Sequence, residues 1–300
     1  VQFLRNTDVY MHYNSNYYRL HVQNISFSQT FKQEGSKKKT LHSTSSLIEG
    51  STINQANPAS IEMELLMVDE GSAYQHKPLE LLLTNSGDTL QTFDLYVDAS
   101  TADESSRKMY KIETCVFTNG AFNISREGVM TVDLSAQGSK VSRVNYSSFS
   151  VGSYNAGPTY VANPTVKVTV DGTVLENVIA VGLEVQNDIE WIKNNTVQNA
   201  LAVTGAGNST FPTSFVLKQR DVAGNITTYI GTQDSDLQAW KESIAIRIQA
   251  GLSAGNDQLD AQLTPCSFTN RVDTTEVFTQ GYDFRMMGSP TNLDDLFTYN

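Results

Sequence analysis

The residues that could do chemistry in this chain are few and scattered. His12, His21, His42 and His76 all fall in the first third. None stands at metal-ligand spacing from another histidine, a cysteine or an acid. Cys115 and Cys266 sit among apolar neighbours in alternating stretches. Neither is at a helix start or beside a basic group that would lower a thiol's pKa. They read as small buried hydrophobes and are not expected to pair, because a disulfide needs Cα atoms within about 7 Å. Gly205-Ala206-Gly207 lacks the complete dinucleotide fingerprint, and Gly35-Ser36-Lys37 lacks the full phosphate-loop pattern. Glu62 and Glu64 could be imagined as an acid–base pair, but carboxylates two residues apart on a strand form one wet face. No catalytic residue, metal ligand or cofactor is therefore expected, and the enzyme class is set aside.

The elements that carry these residues occur twice. Cys115-Val116-Phe117-Thr118-Asn119 is repeated as Cys266-Ser267-Phe268-Thr269-Asn270, an offset of 266 − 115 = 151 residues. Repeats that long imply two related domains and not a solenoid, whose period is about 20–50 residues. Other landmarks keep the same order. An aromatic hairpin turning at Asn14-Ser15 corresponds to Val166–Val170 turning at Asp171-Gly172, a strong hairpin signal. Val22-Gln23-Asn24 is matched to Val185-Gln186-Asn187, and Pro58 to Pro212. Long polar segments, Gln29 to Asn57 and Asn194 to Ser209, read as loops, the first carrying Lys37-Lys38-Lys39. Short helices are expected at Lys77 to Asn85 and at Asp234 to Lys241. Strands alternate at Ile61–Leu65, Phe93–Val97, Met130–Leu134, Ile244–Ile248 and Tyr282–Met286. The reading is mainly β: two tandem β-sandwich domains of antiparallel strands, each with a short flanking helix, over residues 1–145 and 146–300. The joint falls in the Ser-, Gly-, Asn- and Tyr-rich stretch from Ser139 to Tyr160.

Composition narrows the function classes. The chain has 300 residues, 39% of them hydrophobic, and a net charge of −11. That suits a folded protein whose surface repels a polyanion, and makes phosphate-neutralising DNA binding a poor fit. The longest apolar runs, such as Leu79 to Leu83, fall far short of the ~20 residues of a membrane span. No basic-then-apolar leader opens the sequence, so no membrane association is expected. Asn-x-Ser/Thr triplets such as Asn24-Ile25-Ser26 are what an Asn- and Ser-rich chain produces by chance.

The order of hairpin, long loop, Ser51-Thr-Ile-Asn-Gln-Ala-Asn-Pro58 preceded by Leu41 to Gly50, alternating strand, helix and further strands resembles the major tail tube proteins of long-tailed, siphovirus-type bacteriophages. The duplication is similar to the branch with two tube domains per chain. What the resemblance implies is a structural protein in which six tube domains, here three chains, close a pseudo-hexameric ring. Rings stack into a hollow tube through which the genome passes. Its partners would be further copies of itself, a tape measure protein, and tail terminator and tip proteins, with DNA transiently in the lumen. The setting would be the virion tail, assembled in the host cytoplasm. The long loop would reach the adjoining ring, giving Lys37, Lys38 and Lys39 an inter-ring contact. Strand alternation then nominates Glu62, Glu64, Glu113, Asp133, Lys218, Asp283 and Arg285 as lumen-facing. Two other readings stay open. One is a secretion-system inner tube subunit of the same fold. The other is a receptor- or carbohydrate-binding β-sandwich using Tyr10, Tyr13, Tyr17 and Tyr18.

Overall fold

The computed structural model describes residues 7–36, 50–69, 77–86, 89–99, 108–125, 128–149, 159–192, 211–230, 240–253, 256–274, 278–288 and 293–299. The first half runs β1 (Thr7–Tyr13), β2 (Asn16–Arg19), β3 (Val22–Ser28), β4 (Phe31–Ser36), β5 (Gly50–Ala56), β6 (Ala59–Leu66), β7 (Val68–Asp69) and α1 (Lys77–Leu83). It continues through β8 (Asn85–Ser86), β9 (Thr89–Leu90), β10 (Phe93–Ala99), β11 (Lys108–Ser125), β12 (Thr131–Gly138) and β13 (Lys140–Asn145). The second half is β14 (Thr159–Tyr160), β15 (Thr165–Val170), β16 (Thr173–Val174), β17 (Val178–Trp191), β18 (Phe215–Tyr229), β19 (Trp240–Ser253), β20 (Asn256–Thr274), β21 (Phe278–Met286) and β22 (Phe297–Tyr299). The architecture is mainly β with antiparallel pairing throughout the main sheet, as a β-sandwich class requires.

Local sequence accounts for the turns and faces. Asn14 and Ser15 both take positive φ (47° and 65°), the geometry a two-residue hairpin turn needs to match strand twist. Asp171 and Gly172 do the same between β15 and β16. In β6, Ala59, Ile61, Met63 and Leu65 are buried while Ser60 and Glu62 are exposed, so period-two alternation sets one dry and one wet face. Met130, Val132 and Leu134 point into the same core. The leucines of α1 are buried, and Gly120 on β11 lets the helix approach: a Cβ there would lie 2.3 Å from Leu82 Cδ2. The buried residues from Val9 to Phe297 form one hydrophobic cluster that spans both halves.

Strand β11 organises the layers. Its first part pairs with β10 and β13, its second with β12 and β17, so one strand passes from one sheet into the other. The bend falls at the repeated motif. Thr114, a β-branched residue, is held at φ 52°, and its amide donates to Asp94 Oδ1 at 3.0 Å. The ladder with β12 then slips at Phe117/Asn119. Asp94 also holds Lys111 at 3.0 Å. Burial works against the Lys111 charge, but the hydrogen bond to Asp94 and its charge outweigh that and raise the amine's pKa.

Several expectations are corrected. The polar segment from Gln29 to Asn57 contains β4 and β5, paired to each other as a ribbon from Phe31↔Ala56 to Ser36↔Gly50. The helix expected up to Lys241 does not hold there: Trp240 and Lys241 begin β19, and 234–239 lie outside the described residues. The presumed joint from Ser139 contains β13, which pairs with β11. The rung Phe117–Ala136–Ile61–Phe27 has the place that Phe268–Phe284–Gly224–Leu183 has in the second half.

Close approach of backbones supplies a test. A Cβ on Gly224 would meet the Gly182 carbonyl oxygen at 2.3 Å and Phe284 Cζ at 2.4 Å, and the carbonyl cannot swing aside. Gly224→Ala is expected to lower unfolding stability by about 1–3 kcal/mol. Gly120→Ala, opposed by a leucine side chain that can turn, should cost less. Urea unfolding of both variants checks the ranking, and equal losses would contradict it.

Candidate functional site

Strand pairing runs without interruption through β3-β6-β12-β11-β17-β18-β21-β20, and β11–β17 is the junction between the halves. Away from the core, one row of this sheet reads Asn24, Glu64, Asp133, Ala121, Glu184, Ala223, Arg285, Ser267, each opposite the next. A neighbouring row holds Glu62, Ser135, Asn119, Gln186 and Asp221. A third contains Asn123, Gly182, Asn225 and Asp283. The face is therefore acidic, and Arg285 is tied to Asp221 at 2.8 Å.

Of the residues nominated from sequence, Glu62, Glu64, Asp133, Asp283 and Arg285 share this wet face. Glu113 lies elsewhere, on the first part of β11 opposite Lys140 and 3.4 Å from Lys111 Nζ. Lys218 stands on the end of β18 that extends past β21, paired with Glu190 at 2.7 Å. Lys37, Lys38 and Lys39 lie outside the described residues. Sequence reasoning missed Glu184, Asp221, Asn119 and Asn123, although Glu184-x-Gln186-x-Asp188-x-Glu190 carries the period-two signal that would have found the first.

Carboxylates on this face face each other. Glu64 is directly opposite Asp133, an arrangement that destabilises a sheet. An amide moderates it, Asn123 Nδ2 donating to Asp133 Oδ2, and Asn119 Nδ2 serves Glu184 Oε1 in the same way, both at 2.9 Å.

The junction is locked on its dry side by a basic residue that takes no carboxylate. Arg220 Nη2 donates to the carbonyls of Leu82 (2.9 Å) and Leu83 (2.7 Å), and Nε to Asn187 Oδ1 at 2.8 Å. Asn187 Nδ2 donates in turn to Leu82 O and Phe117 O, both at 3.1 Å. A cation at the end of α1 is matched to the negative pole of the helix. Burial lowers the guanidinium pKa to about 10, which leaves it charged at neutral pH. Trp191 Nε1 to Gln137 Oε1 (2.8 Å) and Ser139 Oγ to the Pro212 carbonyl (2.5 Å) add further ties between halves.

The remaining chemical groups have structural employment. Cys115 and Cys266 are buried, and burial raises both thiols, Cys266 to about 11, so neither is a thiolate nucleophile at neutral pH. His12 stacks on Tyr17. Tyr18 is buried, while Tyr10 and Tyr17 pack against Phe149, with ring centroids at 5.0 and 4.4 Å. Among the described residues, no three His, Cys, Asp or Glu side chains converge on a metal position.

Each end of the long sheet is open among the described residues: β3 has β6 as its one neighbour, and β20 beyond Thr269 has β21. The sheet therefore has one dry face and one acidic face, and its end strands offer backbone groups to a further strand. Residues 1–294 match the model of the bacteriophage baseplate tube protein family, and the chain belongs to that family. It is a structural tube component of the phage tail, a virion protein and not an enzyme. Comparison with individual curated proteins gives no match.

The facing acids give a measurable consequence. Glu64→Gln should raise stability by about 0.2–1 kcal/mol at low salt by removing one of two opposed charges. The gain should shrink in 1 M salt, where screening acts over about 3 Å. Urea midpoints at the two ionic strengths test this, and a loss of stability at low salt would contradict it.

Proposed function

We propose that this chain is a duplicated tube protein, three copies of which close a ring of six equivalent wall segments around a bore that passes the viral genome. The observation that carries the reading is the recurrence of one pairing order. The series β2-β1-β10-β11-β12-β6-β3 in the first half has its parallel in β16-β15-β19-β20-β21-β18-β17 in the second. β13 beside β11 has its parallel in β22 beside β20. Two units of one design, joined side by side through β11 and β17, form two sixths of a cyclic wall, and a head-to-tail interface closes into a ring when its rotation allows. The unit boundary falls after β13, near residue 145. The acidic face lines the bore in this reading. Glu62, Glu64, Asp133, Asp283 and the unforeseen Glu184 repel phosphate, so DNA slides without adhering. Retaining opposed carboxylates at a cost in stability fits such a role.

Rings stack through the segment between β4 and β5, where Lys37, Lys38 and Lys39 dock on an acidic rim of the neighbouring ring. Tape measure, terminator and tip proteins would meet the stack inside and at its ends, in a tail assembled in the host cytoplasm.

Electron microscopy of the purified chain tests the reading. Rings with a central hole, or stacked tubes, are expected. Lys37→Glu, Lys38→Glu and Lys39→Glu together should leave rings but stop their stacking. A chain that stays monomeric at high concentration would overturn the ring, and unimpaired stacking of the triple variant would overturn the loop's role.

A further inference from the structure

The junction inside the chain prescribes the junction between chains. Along β11 and β17 the pairs are Gly120↔Val185, Phe122↔Leu183 and Ile124↔Val181 toward the core, with Ala121↔Glu184 and Asn123↔Gly182 on the acidic face. Each of these strands has a counterpart whose corresponding edge is open among the described residues. Counting rungs from the shared phenylalanine locates it. Phe122 lies four rungs beyond the Phe117–Ala136 rung, opposite Val132. Val272 lies four rungs beyond the Phe268–Phe284 rung, opposite Gln280. The same rungs make Phe27 the counterpart of Leu183 and Ile25 that of Val181.

Resting on the ring reading, we infer that β20 of one chain pairs antiparallel with β3 of a second copy, with Val272 opposite Phe27, Asn270 opposite Gln29 and Thr274 opposite Ile25. Arg271 and Ser28 then face each other on the acidic side.

Burial in the single chain supports this register independently of the counting. Phe122 and Leu183, the internal pair, are 1% and 2% exposed. Val272, at the place of Phe122, is 53% exposed, the highest figure among the large hydrophobics left at the surface of the described residues. Phe27, at the place of Leu183, is only half-buried, while Ile25 already faces the core. A β-branched residue and an aromatic ring directly opposite each other are a favourable cross-strand pair. A slip by one residue would set Val272 opposite Ser26 or Ser28 and join the dry face of one chain to the acidic face of the next, so the register is strongly specified. The two edges are different strands, so each chain offers one donor and one acceptor edge. No twofold pairing of identical edges satisfies both.

The inter-chain seam also differs from the internal one. Arg220 and Asn187 clamp β17 and β18 to α1 within the chain. The β3–β6 ladder ends at Ser28↔Ser60, and neither β3 nor β6 carries an arginine. Three locked seams would then alternate with three that rely on strand pairing and the Val272–Phe27 contact.

Disulfide trapping tests the register. The double variant Arg271→Cys, Ser28→Cys places both thiols on the acidic face without touching the core. After mild oxidation of assembled protein, it should run on non-reducing gels as covalent dimers and trimers, and as monomer after reduction. Arg271→Cys with Ser26→Cys, displaced by two residues on the same face, should cross-link at least tenfold less. Equal or stronger cross-linking of the displaced pair overturns the register. Rings visible by microscopy without a cross-link in either pair overturn the edge assignment while leaving the ring reading intact. An unsubstituted chain that forms no rings overturns both. Val272→Asp supplies a separate reading: it should keep the native circular dichroism and melting temperature, because Val272 is exposed in the single chain, yet lose rings. Rings at the unsubstituted yield contradict the inference.

Discussion

Backbone hydrogen bonding at the ends of an open sheet is the constraint on which the rest of this structure depends. Every strand between β6 and β21 in the long sheet has its N–H and C=O groups met on both sides over the stretch that lies in the wall. β3 and the last part of β20 are met on one side only among the described residues. Such edges are templates for whatever strand comes next, and soluble proteins blunt or cover them. Here the internal seam shows how one edge accepts the other, with seven consecutive rungs from Asn119↔Gln186 to Ser125↔Ala180. The bend at Thr114, the glycines that let backbones meet and the half-buried Phe27 all follow from placing those edges correctly.

Charge is arranged against the fold's own interest on one face and for it on the other. Glu64 and Asp133 oppose each other where a salt bridge would have been more stable, with Asn123 donating to Asp133 as relief. On the dry side, a part-buried guanidinium donates to amide and carbonyl oxygens, with no acid among its described hydrogen-bond partners. Burying a cation without hydrogen bonds would be costly, and the exposed carbonyls at the end of α1 offset that cost. The acids gather on one face, and on the other Arg220 and Asn187 tie α1 to β18 and β17.

Much of the fold was legible in residue order, and its limits have a physical cause. Alternation at Ile61–Leu65 and Met130–Leu134 identified buried and wet faces correctly, because period two is a local property. Asp171-Gly172 located its turn for the same reason. Cys115-x-Phe-Thr-Asn119 marked a position whose structural meaning, the bend between sheets, no local rule revealed. Short phrases do not carry register: Val22-Gln23-Asn24 and Val185-Gln186-Asn187 look alike, yet the first opens β3 and the second lies well inside β17. Strand pairing is decided by partners far off in sequence, and a phrase of three residues does not encode them. The ribbon of β4 and β5 was hidden by composition, since FKQEGS and GSTINQA hold too few apolar residues to alternate. Arg220 carried no signal at all, because its partners are carbonyls brought to it by α1.

The central claim is that six wall segments from three chains share one uninterrupted sheet. A cryo-electron microscopy map of the assembled protein, resolved well enough to trace strands, tests it most directly. The account predicts three chains per ring, with β20 of each continuing into β3 of the next across a seam that matches the β11–β17 junction. A ring of six chains, or a map in which β3 and β20 both face solvent, would contradict it.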